Sequence, residues 1–108
     1  NVQELETAAR LRLPIVALVL RDDTYGLIKL KQRQHFERDG FVDFTNPDLP
    51  ALAKSFGCEA IQINAADELP NALRLAFRSK KPVVIDCPVD YQENHRLMER
   101  LGKLVCPT

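Results

Sequence analysis

The stretch Ile15-Val-Ala-Leu-Val-Leu-Arg-Asp-Asp-Thr-Tyr-Gly26 decides the fold of this chain. Its first six residues are apolar without a break, and Pro14 precedes them. Such a run is typical of a strand that is buried on both faces of a parallel sheet. Because turn-forming residues follow at once, we favour a strand over a short buried helix. The stretch therefore predicts a buried strand from Ile15 to Leu20, with a polar turn at its carboxyl end.

The polar turn after this strand carries two carboxylates, Asp22 and Asp23, and then Thr24 and Gly26. In open α/β sheets, ligands bind in the crevice outside the carboxyl ends of the strands. Carboxylate oxygens in that place suit a hard cation and an anion that the cation bridges. Asp and Thr are also common N-caps of helices, so the same pattern fits a plain capping turn. The residue types alone leave both interpretations open.

The rest of the chain alternates helical and strand patterns. Apolar spacing, capping residues and the positions of Pro and Gly predict the elements. They are a helix over 2–12, a helix from Asp23 or Thr24 to Gln34, a loop over 35–46 with a short extended piece at 41–44, a helix begun by Asn46-Pro47 and closed by Gly57, a strand over 59–64, a helix over 67–78, a strand over 82–87 and a helix over 93–103. This order predicts an α/β fold, a three-layer αβα sandwich with a parallel sheet and right-handed crossovers.

Three strands are visible, and strands this apolar are poor choices for the edge of a sheet. We therefore expect the chain to be the tail end of a larger sheet. The buried stripe of the helix over 67–78 is expected to contain Leu69, Ala72, Leu73, Ala76 and Phe77. Cys87 lies in an apolar run and is expected to be a small buried side chain.

The composition of the 108 residues indicates one globular domain without a general attraction for polyanions. Lys plus Arg number 15 and Asp plus Glu number 15, so the formal net charge is zero and we expect no nucleic acid partner. No apolar run approaches the roughly 20 residues that span a bilayer, and no signal peptide is visible, so we expect no membrane association. Three cysteines without metal-ligand spacing predict neither a zinc site nor a disulfide framework and fit a cytoplasmic protein.

Six segments carry a resemblance to a known family. They are Asn1-Val-Gln-Glu-Leu-Glu-Thr-Ala8, Leu13-Pro-Ile-Val16, Asp22-Asp-Thr-Tyr-Gly26, Phe41-Val-Asp-Phe-Thr-Asn-Pro-Asp48, Ser55-Phe-Gly57 and Pro82-Val-Val-Ile-Asp-Cys-Pro-Val-Asp-Tyr91. In these segments the chain resembles the C-terminal cofactor-binding domain of thiamine-diphosphate-dependent enzymes, in particular the catabolic acetolactate synthases. The similarity runs in order along essentially the whole chain. It implies that residues 1–108 are the C-terminal part of a thiamine-diphosphate-binding domain, on the side that holds the diphosphate.

The resemblance also implies a cofactor site at Asp22, Thr24, Tyr25 and Gly26. Asp22 would be the side-chain ligand to Mg²⁺, and Thr24 would supply a backbone carbonyl to the same ion. Backbone groups around Tyr25 and Gly26 would lie near the diphosphate, whose negative charge a helix N-terminus favours. Asp23 is expected to be a capping or solvent-exposed acid. The family's activating Glu belongs to a different domain, so no catalytic residue is assigned in this chain.

The implied activity is an acetolactate synthase-like condensation of 2-oxo acids, by decarboxylation of pyruvate and carboligation, with thiamine diphosphate and Mg²⁺. The substrate would be a small 2-oxo acid, and the parent enzyme a homo-oligomer. The 108 residues would be inactive alone, because the Gly-Asp-Gly half of the family's diphosphate motif is absent from them. Two departures, Arg21 in place of Asn or an apolar residue and Lys31 in place of Gln, leave a related decarboxylase or oxidase open. A non-catalytic α/β interaction module is a further alternative.

Overall fold

The structure of this protein is a computed structural model that describes residues 1–90. In chain order its elements are α1 (Glu4–Arg10), β1 (Val16–Arg21), α2 (Gly26–Phe36), α3 (Leu49–Ser55), β2 (Glu59–Gln62), a 3₁₀ helix (Ala66–Glu68), α4 (Leu69–Ala76) and β3 (Val83–Pro88). The order of helices and strands predicted from the sequence is confirmed as far as β3. The helix predicted over 93–103 lies outside the described residues.

The described chain divides into two compact units. The first consists of Asn1–Arg21 and Thr45–Pro88, and it contains every strand named above together with α1, α3 and α4. The second consists of Asp22–Phe44 together with residues 89 and 90, and it contains α2 and the loop that follows it. No helix among residues 1–90 has both the length and the apolar character of a membrane-spanning segment.

The first unit is built on a parallel sheet of three strands in the order β1-β3-β2. Val83 of β3 lies beside Val16 of β1 on one side and beside Glu59 of β2 on the other. As the central strand, β3 is the most deeply buried of the three, and Ile85 in it has no exposed surface. Because all strands are parallel, their carboxyl ends lie along the same edge of the sheet.

Helices cover both faces of this sheet, which confirms the three-layer αβα arrangement. On one face, α4 packs on a cluster of the buried residues Ile63, Ala72, Ala76, Val83 and Ile85. On the other face, α1 and α3 pack on a second cluster, formed by Ala53, Cys58 and Val84 with Leu5, Ala9 and Phe56 at its border. Full burial of each Val or Ile side chain stabilises the fold by roughly 1.5–3 kcal/mol.

The burial of β1 differs from the prediction. Leu18 and Leu20 are 40% and 65% exposed, whereas the apolar run predicted a strand buried on both faces. Ala17 and Val19, which point to the opposite face, pack against the second cluster as expected. Among residues 1–90, β1 pairs only with β3, so it is an edge strand of the described sheet. The run predicted a strand correctly, but the burial of its second face depends on neighbours that the run does not reveal.

The start of α3 also differs from the prediction. Asp48, rather than Asn46, is its N-cap, and the Asp48 carboxylate accepts a hydrogen bond from the backbone N–H of Ala51 at 2.8 Å. Pro50 falls in the first turn, where its missing N–H costs nothing. The end of α3 is as predicted, because Gly57 follows it with φ of +81°, a conformation that suits glycine.

The helix predicted over 67–78 is shorter and is divided. The 3₁₀ helix Ala66–Glu68 leads directly into α4, and four residues of the predicted stripe pack in the first cluster. The fifth, Phe77, lies past the end of α4 and is 73% exposed, so its predicted burial is wrong. The prediction for Cys87 also needs correction, since it is half-buried, whereas Cys58 is buried.

Candidate functional site

The predicted site residues lie in the turn between β1 and α2, at the start of the second unit. An antiparallel bridge joins Thr24 in this turn to Asp43 in the following loop. It is made by two backbone hydrogen bonds: Tyr25 N–H donates to the Val42 carbonyl at 2.8 Å, and Phe44 N–H donates to the Asp23 carbonyl at 3.0 Å. The short extended piece predicted within the loop agrees with this bridge.

The bridge determines where the peptide groups of Thr24 point. Its two hydrogen bonds use the carbonyl of Asp23 and the N–H of Tyr25, so the N–H and carbonyl of Thr24 itself are directed away from the Val42–Phe44 segment. The hydroxyl of Thr24 donates to the Val42 carbonyl at 3.0 Å and holds the residue in this orientation. A carbonyl held in this way suits the predicted role of Thr24 as a backbone ligand to a cation.

The N-terminus of α2 lies immediately after this turn. The helix begins at Gly26 rather than at the predicted Asp23 or Thr24, and Tyr25 is its N-cap residue. The side chain of Tyr25 makes no capping hydrogen bond, and the first turn of α2 contains no acidic residue. A helix N-terminus without a side-chain cap presents N–H groups and a partial positive charge to an anion. This geometry fits the diphosphate group that the sequence resemblance implies.

The two carboxylates of the turn differ in exposure. Asp22, joined directly to the last residue of β1, is half-buried, whereas Asp23 is exposed as predicted. Among residues 1–90, no group of three or more His, Cys, Asp or Glu side chains could hold a metal ion. At this turn the candidate oxygen ligands for a cation are the carboxylate of Asp22 and the carbonyl of Thr24. That donor set fits Mg²⁺, which is usually bound by one or two carboxylates together with phosphate oxygens and water.

Further contacts tie the loop after α2 to the helix itself. The Lys29 ammonium contacts the Asp43 carboxylate at 2.7 Å, and the rings of Tyr25 and Phe44 lie 4.8 Å apart. Near the end of α2, Arg33 pairs with Asp39, and the Gln32 side-chain oxygen accepts from the Gly40 N–H at 3.0 Å. Gln32 thus contacts the loop, and Lys31 beside it is exposed.

Asp43 is ionised more readily than an ordinary aspartate. The hydrogen bond from Lys29 lowers the pKa of the Asp43 carboxyl below its usual value of 3.8. The carboxylate therefore keeps its charge, and its ion pair with Lys29, throughout the neutral range. This ion pair reinforces the bridge that orients Thr24.

In the first unit, a row of polar side chains crosses the three strands near their carboxyl ends. Asp86 of β3 is only 3% exposed, and its carboxylate accepts from Arg21 Nε of β1 at 2.8 Å. Gln62 of β2 donates to the other carboxylate oxygen at 3.4 Å. The sequence marked Arg21 as a departure from the family, but its pairing with Asp86 was not predicted. The sequence signal for such a pair is Asp86 itself, an acid inside an apolar strand, because a buried charge requires a partner.

Comparison with known proteins identifies the class of this domain. Residues 1–87 match the family of thiamine pyrophosphate enzymes, C-terminal TPP binding domain, and the chain belongs to this family. The recognition of the family from the sequence is thereby confirmed.

Two relatives and one solved structure define the similarity further. The chain is 40% identical over 97 residues to the acetolactate synthase of Bacillus subtilis, covering 90% of the chain and 17% of that protein. It is 33% identical over 98 residues to the catabolic acetolactate synthase of Raoultella terrigena, and this match covers 91% of the chain and 18% of that protein. Its fold is similar to that of the thiamine diphosphate-dependent 4-hydroxybenzoylformate decarboxylase of Rhodococcus jostii RHA1, with a TM-score of 0.73. The two sequences are 22% identical, and the match covers 85% of the chain and 18% of that structure. The chain thus spans less than a fifth of the length of these proteins.

Proposed function

We propose that residues 1–108 form the diphosphate-binding C-terminal part of the cofactor domain in a thiamine-diphosphate- and Mg²⁺-dependent enzyme that resembles acetolactate synthase. The substrate would be a small 2-oxo acid such as pyruvate. The active enzyme would be a larger, cytoplasmic homo-oligomer in which another domain supplies the activating Glu. When bound, thiamine diphosphate supplies the carbanion chemistry for decarboxylation and carboligation.

One observation carries this proposal: the N-terminus of α2 lacks a side-chain cap and follows directly on the Asp22–Tyr25 turn. The turn thus offers a carboxylate and an oriented carbonyl next to a group of N–H donors. A magnesium ion bound to a diphosphate needs both kinds of partner, oxygen ligands for the ion and hydrogen-bond donors for the phosphates. The identity of 40% to the acetolactate synthase of Bacillus subtilis supports the assignment to this kind of enzyme.

Each residue of the proposed site has a separate task. Asp22 would contribute negative charge and an oxygen to Mg²⁺, and Thr24 would contribute its carbonyl oxygen. The backbone N–H of Gly26, at the start of α2, would bind a phosphate oxygen, and the lack of a side chain there would allow close approach. The N–H of Tyr25 is already bonded to the Val42 carbonyl, so Tyr25 would lie near the diphosphate without donating its N–H to it. Lys29 and Asp43 lie outside the site and would hold Thr24 in orientation through the bridge.

Lys31 favours a second candidate, a related decarboxylase or oxidase. The sequence resemblance implies that the catabolic acetolactate synthases usually have Gln in this position, whereas this chain has Lys31, an exposed residue of α2 with a positive charge. If position 31 faces the substrate rather than solvent, the positive charge of Lys31 would change the preferred acceptor. The same cofactor site would then serve decarboxylation without carboligation.

The test uses the full-length protein that carries this segment. Thiamine diphosphate is titrated by calorimetry with Mg²⁺ and again with EDTA, and pyruvate turnover is followed as acetoin after acidification. We expect binding that requires the divalent ion, and acetolactate as the product. Release of aldehyde without acetolactate would support the decarboxylase instead. Absence of thiamine diphosphate binding, or binding that ignores Mg²⁺, would contradict the proposed site.

A further inference from the structure

We propose that the side-chain hydroxyl of Thr24 is a positioning group for Mg²⁺, because its hydrogen bond to the Val42 carbonyl fixes the direction of the Thr24 backbone carbonyl. Thr24 then serves the site twice, with its carbonyl oxygen at the ion and with its hydroxyl at the loop after α2. The inference rests on the function proposed above, since it concerns the cation of that site. It names one group whose removal weakens Mg²⁺ binding although the group contacts neither the ion nor the cofactor.

The peptide group between Thr24 and Tyr25 is the part of the turn that must be oriented. Its N–H, which belongs to Tyr25, donates to the Val42 carbonyl at 2.8 Å. Because a trans peptide group is planar, its carbonyl, which belongs to Thr24, points the opposite way from this N–H. The bond therefore directs the proposed ligand away from the loop, but a single hydrogen bond leaves the peptide plane free to pivot about it.

The hydroxyl of Thr24 supplies the second attachment. It donates to the same Val42 carbonyl at 3.0 Å, so one oxygen accepts from the peptide group and from the side chain of the preceding residue. Two bonds to one acceptor fix the orientation of Thr24 as well as its distance from the loop. The acceptor itself is firmly held, because Val42 is only 3% exposed and is therefore packed inside the protein.

The other contacts between the loop and this part of the chain act less directly on the peptide group. Phe44 N–H donates to the Asp23 carbonyl at 3.0 Å, one peptide group earlier in the turn. The ion pair of Lys29 with Asp43 is 2.7 Å long, but the Asp43 side chain is 64% exposed, and exposed pairs contribute little. The Thr24 hydroxyl is therefore the side-chain group on which we expect the direction of the carbonyl to depend most.

Two substitutions separate the hydroxyl from the rest of Thr24. Thr24→Val keeps the branched shape and the backbone carbonyl but removes the donor, whereas Thr24→Ser keeps the donor and removes a methyl group. When the carbonyl is free to turn, the apparent affinity for Mg²⁺ falls with the fraction of molecules that remain correctly oriented. From the net contribution of one hydrogen bond, we expect Thr24→Val to need about two- to tenfold more Mg²⁺ for half-maximal cofactor binding, and Thr24→Ser to stay within about twofold of the parent.

The measurement is calorimetry of thiamine diphosphate binding at a series of Mg²⁺ concentrations, on full-length variants whose folding is checked by thermal unfolding. The matched control is Ser55→Ala in α3. It also removes a hydroxyl that donates to a backbone carbonyl, that of Leu52 at 2.7 Å, and should leave the Mg²⁺ dependence unchanged. A positioning role predicts that Thr24→Val recovers the parent's cofactor affinity at saturating Mg²⁺. A purely structural role predicts weaker binding at every Mg²⁺ concentration, and that pattern would overturn the inference.

Hydrogen exchange supplies a readout that does not depend on catalysis. If a fastened loop favours binding of the ion, binding must in turn stabilise the fastened loop, because such coupling is reciprocal. In the parent, Mg²⁺ with thiamine diphosphate should therefore slow the exchange of the Tyr25 and Phe44 amides, which make the two hydrogen bonds of the bridge. In Thr24→Val both amides should exchange faster than in the parent before any cofactor is added.

Three further results would also overturn the inference. The first is an unchanged Mg²⁺ dependence in Thr24→Val, and the second is a Thr24→Ser variant as impaired as Thr24→Val, which would assign the effect to the methyl group. The third is unchanged exchange at Tyr25 and Phe44 when the parent binds the ion and the cofactor. If Thr24→Val does not fold, Thr24→Ala, which also lacks the donor, takes its place, and exchange in the parent remains decisive. Failure of the parent to show Mg²⁺-dependent cofactor binding would instead refute the proposed function.

Discussion

Replacing Asp22 with alanine should separate cofactor binding from folding. The change removes the carboxylate proposed to bind Mg²⁺ but leaves the backbone of the turn intact. The two hydrogen bonds of the bridge come from the peptide groups of Asp23 and Tyr25, which alanine at position 22 does not alter. We therefore expect the variant to fold while its affinity for Mg²⁺ and thiamine diphosphate falls.

The expected loss can be bounded. Changing a residue that merely supports a metal ligand typically costs about 10–100-fold in affinity or activity, so removing a ligand should cost at least that much. This corresponds to about 1.4–2.7 kcal/mol of binding free energy. Asp23→Ala is the matched control, because Asp23 is an exposed acid one position away. Its contribution to the bridge is a carbonyl oxygen that alanine retains, so we expect less than about a threefold effect.

The assay is thiamine diphosphate affinity against Mg²⁺ concentration for the parent and both variants in the full-length protein, with circular dichroism as the check on folding. Raising Mg²⁺ should partly rescue Asp22→Ala, since a weakened site still fills at high ion concentration. The assignment of Asp22 as the Mg²⁺ ligand would be refuted if Asp22→Ala bound the cofactor like the parent. It would equally be refuted if Asp23→Ala were the more damaged of the two.

Three further predictions concern the charge of Asp43, the reactivity of Cys58 and the activity of the chain alone. The Asp43 carboxyl should titrate below pH 3.8. Its stabilising ion pair with Lys29 should therefore persist above that pH and be lost as the pH falls through the lowered pKa of the folded state. Lys29→Met should raise the midpoint of the Asp43 titration followed by NMR, and a midpoint at or above 3.8 in the parent would contradict this prediction. Burial raises the pKa of the Cys58 thiol, so in the native protein iodoacetamide should label Cys58 more slowly than the half-buried Cys87. Peptide mass mapping measures the two labelling rates, and equal rates would contradict this prediction. The 108-residue chain alone, incubated with pyruvate, thiamine diphosphate and Mg²⁺, should form no acetoin above the blank after acidification, and measurable turnover would show that the missing Gly-Asp-Gly half is dispensable.

The fold could be predicted from the sequence wherever the signal was local. The apolar run that contains Ile85 predicted a strand, and the spacing of Ala72 and Ala76 predicted the packed face of α4. Errors arose where burial depends on partners in space, as with Leu20 in β1 and with Phe77 just past α4. The start of α3 was ambiguous for another reason, since Asn46 and Asp48 both offer a capping side chain shortly before a proline.

The candidate site could be predicted only in part. The residue types after β1 indicated the turn, and the family resemblance gave each residue a role. The sequence did not show that Val42 and Phe44 hold the turn in place, because those contacts join residues 17 or more positions apart. The link between Arg21 and Asp86 spans 65 positions and was missed for the same reason. Long-range contacts of this kind require the fold to be known first.

The exposed outer side of β1 has a practical consequence for anyone who produces this segment by itself. An apolar edge strand with Leu18 and Leu20 accessible can pair with another strand or stack against another apolar surface. The formal net charge is zero, so little electrostatic repulsion keeps molecules apart near neutral pH. The purified segment is therefore an aggregation hazard, and a charged residue in place of Leu20 is the simplest remedy to try, since that side chain is the more exposed of the two and lies outside the buried clusters.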